Sequence, residues 1–292
     1  MMLLVDAGNT RIKLDWMDAG SPARARCVHA FTPNDLEAAR DWLAALPARP
    51  SHVLGVNVAG EAVAAMLESL LQRPIEWIQA DASALGVRNG YRDPAQLGAD
   101  RWAAMLGLAR HERERRSADS GSPAGSAMAP PRGRACALLA NFGTATTIDT
   151  LQPLSVASVR SGAVDEAAFE FPGGLILPGP AMMLSSLSAG TANLPMGEGD
   201  AALYPTHTHQ AIATGVAAAQ AGAVLRQWMA GLEHSGVPPE LYVSGGGWPA
   251  VRDETLRLLA RARAGLGLPE QAARWLDAPV LDGLACLAFA RS

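Results

Sequence analysis

The chain has 292 residues, of which 49% are hydrophobic and 18% are charged, and its formal net charge is −4 at pH 7. This balance indicates a globular protein with one large or two ordinary domains, and it excludes a basic face for nucleic acid. Three cysteines without a CxxC or Cys/His cluster, no signal-peptide pattern and no membrane-length apolar run lead us to expect a cytoplasmic protein that does not contact a membrane.

The first predicted elements are two strands joined by a tight turn. Residues 2–5 are apolar, and residues 12–17 alternate between apolar and other side chains, which predicts a buried strand followed by a half-buried one. The turn, Asp6-Ala7-Gly8-Asn9-Thr10, combines a carboxylate with a glycine that lets backbone N–H groups approach phosphate oxygens. Asp6 is a candidate Mg²⁺ ligand. An ordinary hairpin with an Asx turn explains these five residues equally well.

Strands and helices alternate through the rest of the first half. The patterns predict a strand at 27–30, a helix opened by Thr32 and Pro33, a strand at 53–58, a helix at 61–71 and a strand at 75–78. The segment 97–102 leads into a helix that ends near Arg110. Residues 111–135 change from a charged run to Ser, Gly, Ala and Pro, which predicts a flexible linker without a core.

The second half repeats this order of elements. Strands at 137–140 and 146–151 flank the turn Asn141-Phe142-Gly143-Thr144-Ala145, and a third strand near 167–171 is followed by a Pro- and Gly-containing segment. Helices are predicted at 181–188, 210–229, 250–262 and 280–290, with strands at 241–243 and 274–276. Because each half has a Gly- and Thr-containing turn after its first strand, we expect a duplicated α/β domain with two phosphate-facing turns.

The common nucleotide motifs GxxxxGK[ST] and GxGxxG are absent, but a set of other motifs resembles the type III pantothenate kinases of the sugar-kinase/actin superfamily. The motifs span nearly the whole chain in order: Asp6-x-Gly8-Asn9-Thr10-x-x-Lys13, Gly98-Ala99-Asp100-Arg101, Gly143-Thr144-Ala145-Thr146-Thr147-Ile148-Asp149, Gly173-Gly174-x-Ile176-x-Pro178-Gly179, Thr191-Ala192-x-Leu194-Pro195, Thr208-x-x-Ala211-Ile212-x-x-Gly215 and Leu281-x-Gly283-Leu284. The resemblance implies duplicated ribonuclease-H-like (actin/sugar-kinase-like) domains, with mixed five-stranded sheets flanked by helices and an interdomain ATP cleft. The implied halves are 1–110, completed by the C-terminal helix, and 136–292.

The resemblance also implies an activity and a site. The activity is ATP-dependent phosphorylation of pantothenate to 4'-phosphopantothenate, the first step of coenzyme A biosynthesis, in a homodimer. Asp100 matches the general base, and the substrate contacts match Tyr91, Gly98, Ala99, Asp100, Arg101 and Thr191. The ATP and phosphate contacts match Asp6, which also binds Mg²⁺, and Gly8, Asn9, Thr10, Lys13, Gly143, Thr144, Ala145, Thr146, Gly245 and Gly246.

One position departs from the family pattern, and some features have simpler explanations. The family has Asp where this chain has Asn141, beside a monovalent cation (K⁺ or NH₄⁺), so we expect weak or absent cation activation. Outside the motif set, Asp100-Arg101 would indicate a helix-start carboxylate and a surface Arg, and Gly245-Gly246 a plain turn. Two alternatives to the main function are a kinase of another small hydroxyl substrate and a non-catalytic regulatory relative with the same fold.

Overall fold

The computed structural model describes residues 1–120, 135–154, 168–192 and 194–291, which divide into two compact units. The first unit comprises Met1–Ala127, Leu154–Pro172 and Ala278–Ser292, and the second comprises Met128–Pro153 and Gly173–Asp277. The first unit is therefore assembled from three separate stretches of sequence. None of the helices in the described residues combines the length and the apolar character that a membrane span requires.

A mixed five-stranded sheet forms the centre of the first unit. Its strands are β1 (Met2–Ala7), β2 (Ile12–Met17), β3 (His29–Phe31), β4 (His52–Asn57) and β5 (Glu76–Trp77), in the order β3-β2-β1-β4-β5. Strand β2 is antiparallel to β1 and β3, whereas β4 is parallel to β1 and β5. Helices α1 (Leu36–Ala44) and α2 (Glu61–Leu71) connect the strands, and their apolar faces join the core of this sheet.

The remaining elements of the first unit include two helices in very close contact. These remaining elements are β6 (Ser83–Ala84), β7 (Val87–Asn89), α3 (Ala99–Ser120), the start of β10 (Phe169–Pro178) and α7 (Pro279–Ala290). The two helices in contact are α3 and α7. A side chain at Gly283 of α7 would overlap the carbonyl oxygen of Ala103 in α3. A Cβ at Gly107 of α3 would lie 2.5 Å from the Pro279 carbonyl oxygen. The two glycines therefore let the helix backbones approach each other directly.

The second unit repeats the sheet of the first. Its strands are β8 (Ala137–Phe142), β9 (Ala145–Pro153), the later part of β10, β11 (Glu240–Ser244) and β12 (Arg274–Trp275), in the order β10-β9-β8-β11-β12. As in the first unit, the first two strands are antiparallel and the last two run parallel to the first. Helices α4 (Pro180–Gly190), α5 (Thr208–Ser235) and α6 (Trp248–Gly265) complete it. The predicted duplication of a mixed α/β domain is thus confirmed, but the second sheet has 7 strands instead of the predicted five, because β7 and β6 follow the first residues of β10 in its order.

Several predicted boundaries and one burial pattern were wrong. Strand β2 is not half-buried, because Asp15 and Met17 are buried as well. Helix α1 begins at Leu36, after the predicted opening at Thr32 and Pro33. Strand β10 continues through the segment Pro172–Pro178, which we expected to lead directly to a helix.

The predicted linker begins in fact as helix. Helix α3 runs to Ser120, well beyond Arg110. The helix continues because Glu112 is fully buried and its carboxylate pairs with Arg115 at 2.9 Å and Arg116 at 3.2 Å, so the charged run is packed rather than solvated. Residues 121–134 of the predicted linker lie outside the described residues.

A buried ion cluster links β2, α3 and α7 within the first unit. Arg24 Nη1 lies 2.7 Å from Asp15 Oδ2, and Arg24 Nε lies 2.7 Å from Asp282 Oδ1. His111 Nε2 lies 3.0 Å from Asp282 Oδ2. Burial raises the pKa of Asp282, but the hydrogen bond with His111 and the positive charge of Arg24 outweigh it and hold this pKa below its usual value.

This cluster leads us to expect a loss of stability in acid. Because the pKa of Asp282 is lower in the folded protein than in the unfolded chain, its stabilising contribution is complete above the unfolded pKa of about 4 and is lost as the pH falls through the folded pKa. Urea unfolding between pH 6 and pH 3 should show this decline, and Asp282→Asn should be less sensitive to pH over that range. An identical pH dependence in the variant would contradict the expectation.

Candidate active site

The first turn places an acidic and a basic side chain side by side. Asp6 lies opposite Lys13 in the register of β1 and β2, and Lys13 Nζ lies 3.2 Å from Asp6 Oδ2. The side chain of Asp6 is 10% exposed and that of Lys13 is 33% exposed. The N–H of Gly8 donates to the carbonyl oxygen of Arg11 at 3.1 Å, which closes the hairpin. Asp6 therefore belongs to the end of β1, with the only lysine of the chain as its neighbour.

The tip of this turn is exposed and is tied to a neighbouring strand. Asn9 and Thr10 are both exposed. The side-chain amide of Asn9 donates to the carbonyl oxygen of Val58, just after β4, at 3.2 Å. Because β1 and β4 are parallel, their carboxyl ends meet at this edge, where ligands bind in many α/β sheets. The tip thus has a fixed position and faces solvent.

The second turn has the same form, with one difference from prediction. Gly143, Thr144 and Ala145 are exposed, and the N–H of Gly143 donates to the carbonyl oxygen of Ala145 at 3.1 Å. Asn141 lies at intermediate depth, near the end of β8. Thr146, expected to contact phosphate, is fully buried, and its hydroxyl has no hydrogen-bond partner among the described residues. The exposed part of this turn is therefore residues 143–145.

Glycines from two other segments press against the backbone of the second turn. The N–H of Gly179 donates to the carbonyl oxygen of Thr144 at 2.9 Å, and a side chain at Gly179 would overlap the carbonyl oxygen of Gly143. Gly245 has a positive φ of 94°, and a side chain there would overlap the Phe142 carbonyl oxygen. These contacts explain why the predicted Gly245-Gly246 cluster is more than a plain turn: one of its glycines is required by close backbone packing. Trp248 stacks on Phe142, with ring centroids 5.5 Å apart.

The start of helix α3 positions the candidate base. Asp100 lies in the first turn, and its Oδ1 accepts a hydrogen bond from the backbone N–H of Arg101 at 2.8 Å. A Cβ at Gly98 would lie 2.7 Å from Asp100 Oδ1, so Gly98 keeps that oxygen uncrowded on one side. Asp100 is only partly buried, whereas Ala99 is buried. This arrangement fixes a carboxylate at the positive end of a long helix.

The neighbouring arginine is buried and held by aromatic groups. Arg101 is 6% exposed, and its Nη1 donates to the hydroxyl of Tyr91 at 2.8 Å. Its guanidinium carbon lies 5.8 Å from the centroid of the Tyr91 ring and 5.6 Å from that of Phe171. The structure thus brings Tyr91, Gly98, Ala99, Asp100 and Arg101 together within the first unit. Phe171 was not predicted as a site residue, because an aromatic residue in a strand indicates only a core position.

The other predicted or considered residues lie in the second unit. Thr191 is exposed at the end of α4, and its hydroxyl donates to the carbonyl oxygen of Leu187 at 2.7 Å. His207 caps α5, and His209 Nδ1 lies 2.8 Å from the carbonyl oxygen of Met196. No group of three or more His, Cys, Asp or Glu side chains among the described residues has the arrangement of a metal site.

Comparisons with known proteins give a consistent family. The family model described as type III pantothenate kinase matches residues 2–122 and 124–230. The type III pantothenate kinase of Bordetella pertussis is 49% identical over 99% of this chain and 97% of its own length. That of Acidovorax ebreus is 35% identical over 84% of this chain and 86% of its own length. A solved structure titled as a conserved putative Baf family transcriptional activator from Campylobacter jejuni is 16% identical, with a TM-score of 0.44 over 97% of this chain and 94% of its own.

Proposed function

Because this chain belongs to the type III pantothenate kinases, which phosphorylate pantothenate with ATP in coenzyme A biosynthesis, we propose that Asp100 is the general base of that reaction and that Arg101 anchors the substrate. The observation that carries the proposal is the pairing of these two residues in the first turn of α3. A partly exposed carboxylate can accept the proton of the pantothenate hydroxyl as the O–P bond forms. A guanidinium held in one plane suits a carboxylate, which pantothenate has at its other end.

The remaining substrate contacts follow the same motif. Gly98 and Ala99 supply backbone next to the base, and Tyr91 contacts pantothenate together with Arg101. Thr191 is the least supported of these contacts, since its hydroxyl already bonds within α4.

The ATP site follows from the two turns. Asp6, Gly8, Asn9, Thr10 and Lys13 contact the phosphates on the first turn. Gly143, Thr144 and Ala145 contact the phosphates on the second turn, while buried Thr146 pairs with Phe142 where β9 leaves that turn. Phosphoryl transfer depends on such alignment and on neutralisation of charge, which Lys13 and backbone N–H groups can supply. Gly245 and Gly246 are assigned to the nucleoside.

The metal ligands are a further part of the proposal. One carboxylate oxygen of Asp6 is the kind of ligand that Mg²⁺ takes together with water and phosphate oxygens, so this residue fits the ion when nucleotide is bound. The ion would supply neutralisation of phosphate charge.

The family resemblance implies two domains and a homodimer. The two halves are assigned to the two units, so that α7 belongs with the first half. A homodimer is supported by exposed small residues along α5, namely Ala211, Gly215, Ala218 and Ala219, since such a face allows close helix packing. Cys27, Cys136 and Cys286 form no disulfide, as a cytoplasmic location allows.

Turnover with pantothenate is the direct test. Purified protein with ATP and Mg²⁺ should form ADP and a phosphorylated product with pantothenate, and much less with a panel of other small alcohols. A preference for another alcohol would favour the kinase of a different hydroxyl substrate. No turnover with any of them would favour the non-catalytic relative.

A weak response to monovalent cations is expected from Asn141. Asn retains an oxygen ligand but lacks the negative charge of the Asp that the family has, so K⁺ or NH₄⁺ should bind weakly or not at all. We expect kcat to change less than about twofold between potassium and a bulky organic cation, and Asn141→Asp to introduce a clear dependence on potassium. Wild-type activity that is nearly absent without potassium would contradict this expectation.

A further inference from the structure

Arg101 is held against an aromatic surface of two rings. The Tyr91 and Phe171 rings stack on each other with centroids 5.8 Å apart and an interplanar angle of 17°. The guanidinium carbon of Arg101 lies within 6 Å of both centroids. At this distance a guanidinium is attracted to the ring face, and the attraction strengthens where water is excluded. The Phe171 side chain is fully buried, so water is excluded from the side of the Arg101 guanidinium that faces this ring.

The backbone around Phe171 fixes the loop that carries Tyr91. Phe171 in β10 pairs with Asn89 in β7, and its carbonyl oxygen accepts the N–H of Gly90 at 2.8 Å. The side chain of Asn89 then accepts the backbone N–H of Tyr91 at 3.0 Å. A Cβ at Gly90 would lie 2.7 Å from the Phe171 carbonyl oxygen, so only a glycine lets the backbone at position 90 come this close to Phe171. The same residue thus supports the Tyr91 loop through its backbone and the Arg101 plane through its ring.

We propose that Phe171 is a positioning residue for pantothenate recognition, which acts by holding Arg101 and Tyr91 in the orientation that receives the substrate carboxylate. The inference rests on the proposed roles of Arg101 and Tyr91. It assigns no contact between Phe171 and the substrate. The effect of losing the ring should therefore appear in the KM for pantothenate, with little change in kcat or in the KM for ATP.

The chain offers a matched control for this test. Phe169 lies two residues earlier on the same strand and is 2% exposed, but its ring faces the guanidinium groups of Arg113 and Arg116 instead of Arg101. Phe171→Leu and Phe169→Leu thus remove the same number of atoms from similar sites. If Phe171→Leu does not fold, Phe171→Met replaces it, because methionine nearly conserves the volume of the core residue.

Steady-state kinetics of the two variants, with Arg101→Lys and the double variant Phe171→Leu/Arg101→Lys, decides the question. We expect Phe171→Leu to raise the KM for pantothenate about fivefold to twentyfold and Phe169→Leu to change it less than twofold. Because Arg101→Lys already removes the planar group, adding Phe171→Leu to it should have a much smaller effect than Phe171→Leu alone.

The role of Phe171 and the role of Arg101 are contradicted by different results. A raised KM in Arg101→Lys with an unchanged KM in Phe171→Leu, or equal effects of Phe171→Leu and Phe169→Leu, would overturn the role of Phe171 and leave the anchor intact. An unchanged KM in Arg101→Lys would overturn the anchor, and the positioning role with it. Fully multiplicative effects in the double variant would likewise show that Phe171 does not act through Arg101.

Discussion

Replacing Asp100 by Asn should lower kcat for pantothenate phosphorylation by about 10²- to 10⁴-fold, while the protein stays folded. The amide oxygen of Asn can still accept the hydrogen bond from the N–H of Arg101, so the first turn of α3 keeps its geometry. The amide carries no negative charge and cannot accept a proton at neutral pH, so the variant cannot act as a base. Initial rates with saturating ATP and pantothenate, together with a thermal unfolding curve, measure both parts of the expectation.

Asp35→Asn is the matched control for this variant. Asp35 lies at the N-cap of α1, another helix of the first unit, and its side chain makes no capping hydrogen bond. The same chemical change there should leave kcat within about twofold of the unaltered protein. A near-normal kcat for Asp100→Asn would remove Asp100 as the base, and an equal loss in both variants would point to a general effect of the substitution.

Replacing Gly283 by Ala should destabilise the protein by about 3 kcal/mol and also reduce kcat/KM by roughly tenfold. The new methyl group would overlap the carbonyl oxygen of Ala103, so α3 and α7 must move apart. Ala103 lies within one turn of Asp100 and Arg101 on the same helix, and the displacement should therefore reach both candidate site residues. Urea unfolding measures the first effect and steady-state kinetics the second.

Gly265→Ala is the control for the glycine change itself. Gly265 is the last residue of α6, and nothing lies within 4 Å of a Cβ built there. Because Ala favours a helix over Gly by up to about 1 kcal/mol, this variant should be neutral or slightly more stable. If Gly283→Ala unfolds at the same urea concentration as the unaltered chain, the close approach of α3 and α7 does not limit stability.

Much of the fold could be predicted because its local signals agree with its tertiary structure. The run of apolar residues at 2–5 and the predicted helix at 61–71 appear as β1 and α2. Two of the wrong predictions, the half-buried β2 and the solvated charged run after Arg110, have a common physical cause. Asp15 and Glu112 are polar, so their positions predicted exposure. In the interior, however, Asp15 pairs with Arg24, which lies 9 residues further along the chain, and Glu112 pairs with an arginine one helical turn away. No pattern in the sequence around Asp15 predicts that Arg24 is its partner.

In the candidate site, too, some residues could be predicted from the sequence and others could not. Motifs identified Asp100, Arg101 and Tyr91, and the structure adds how these three are held. Phe171 could not be predicted as part of this site, because its role depends on β10 pairing with β7 across a long sequence separation. Thr146 belongs to a predicted motif but is fully buried, since alternation along β9 determines which residues face the core.

The contact between α3 and α7 has a consequence for biosynthesis of the protein. Gly107 and Gly283 are about 175 residues apart, so at roughly 5–20 residues per second the ribosome adds α7 some 10–35 s after α3. During that interval the apolar side of α3 has no helix to cover it, although the strands beside it have already been made. The helix that carries the candidate base and anchor therefore reaches its final packing only after α7 has been translated, and a nascent chain that stalls before α7 would leave this surface open to chaperones.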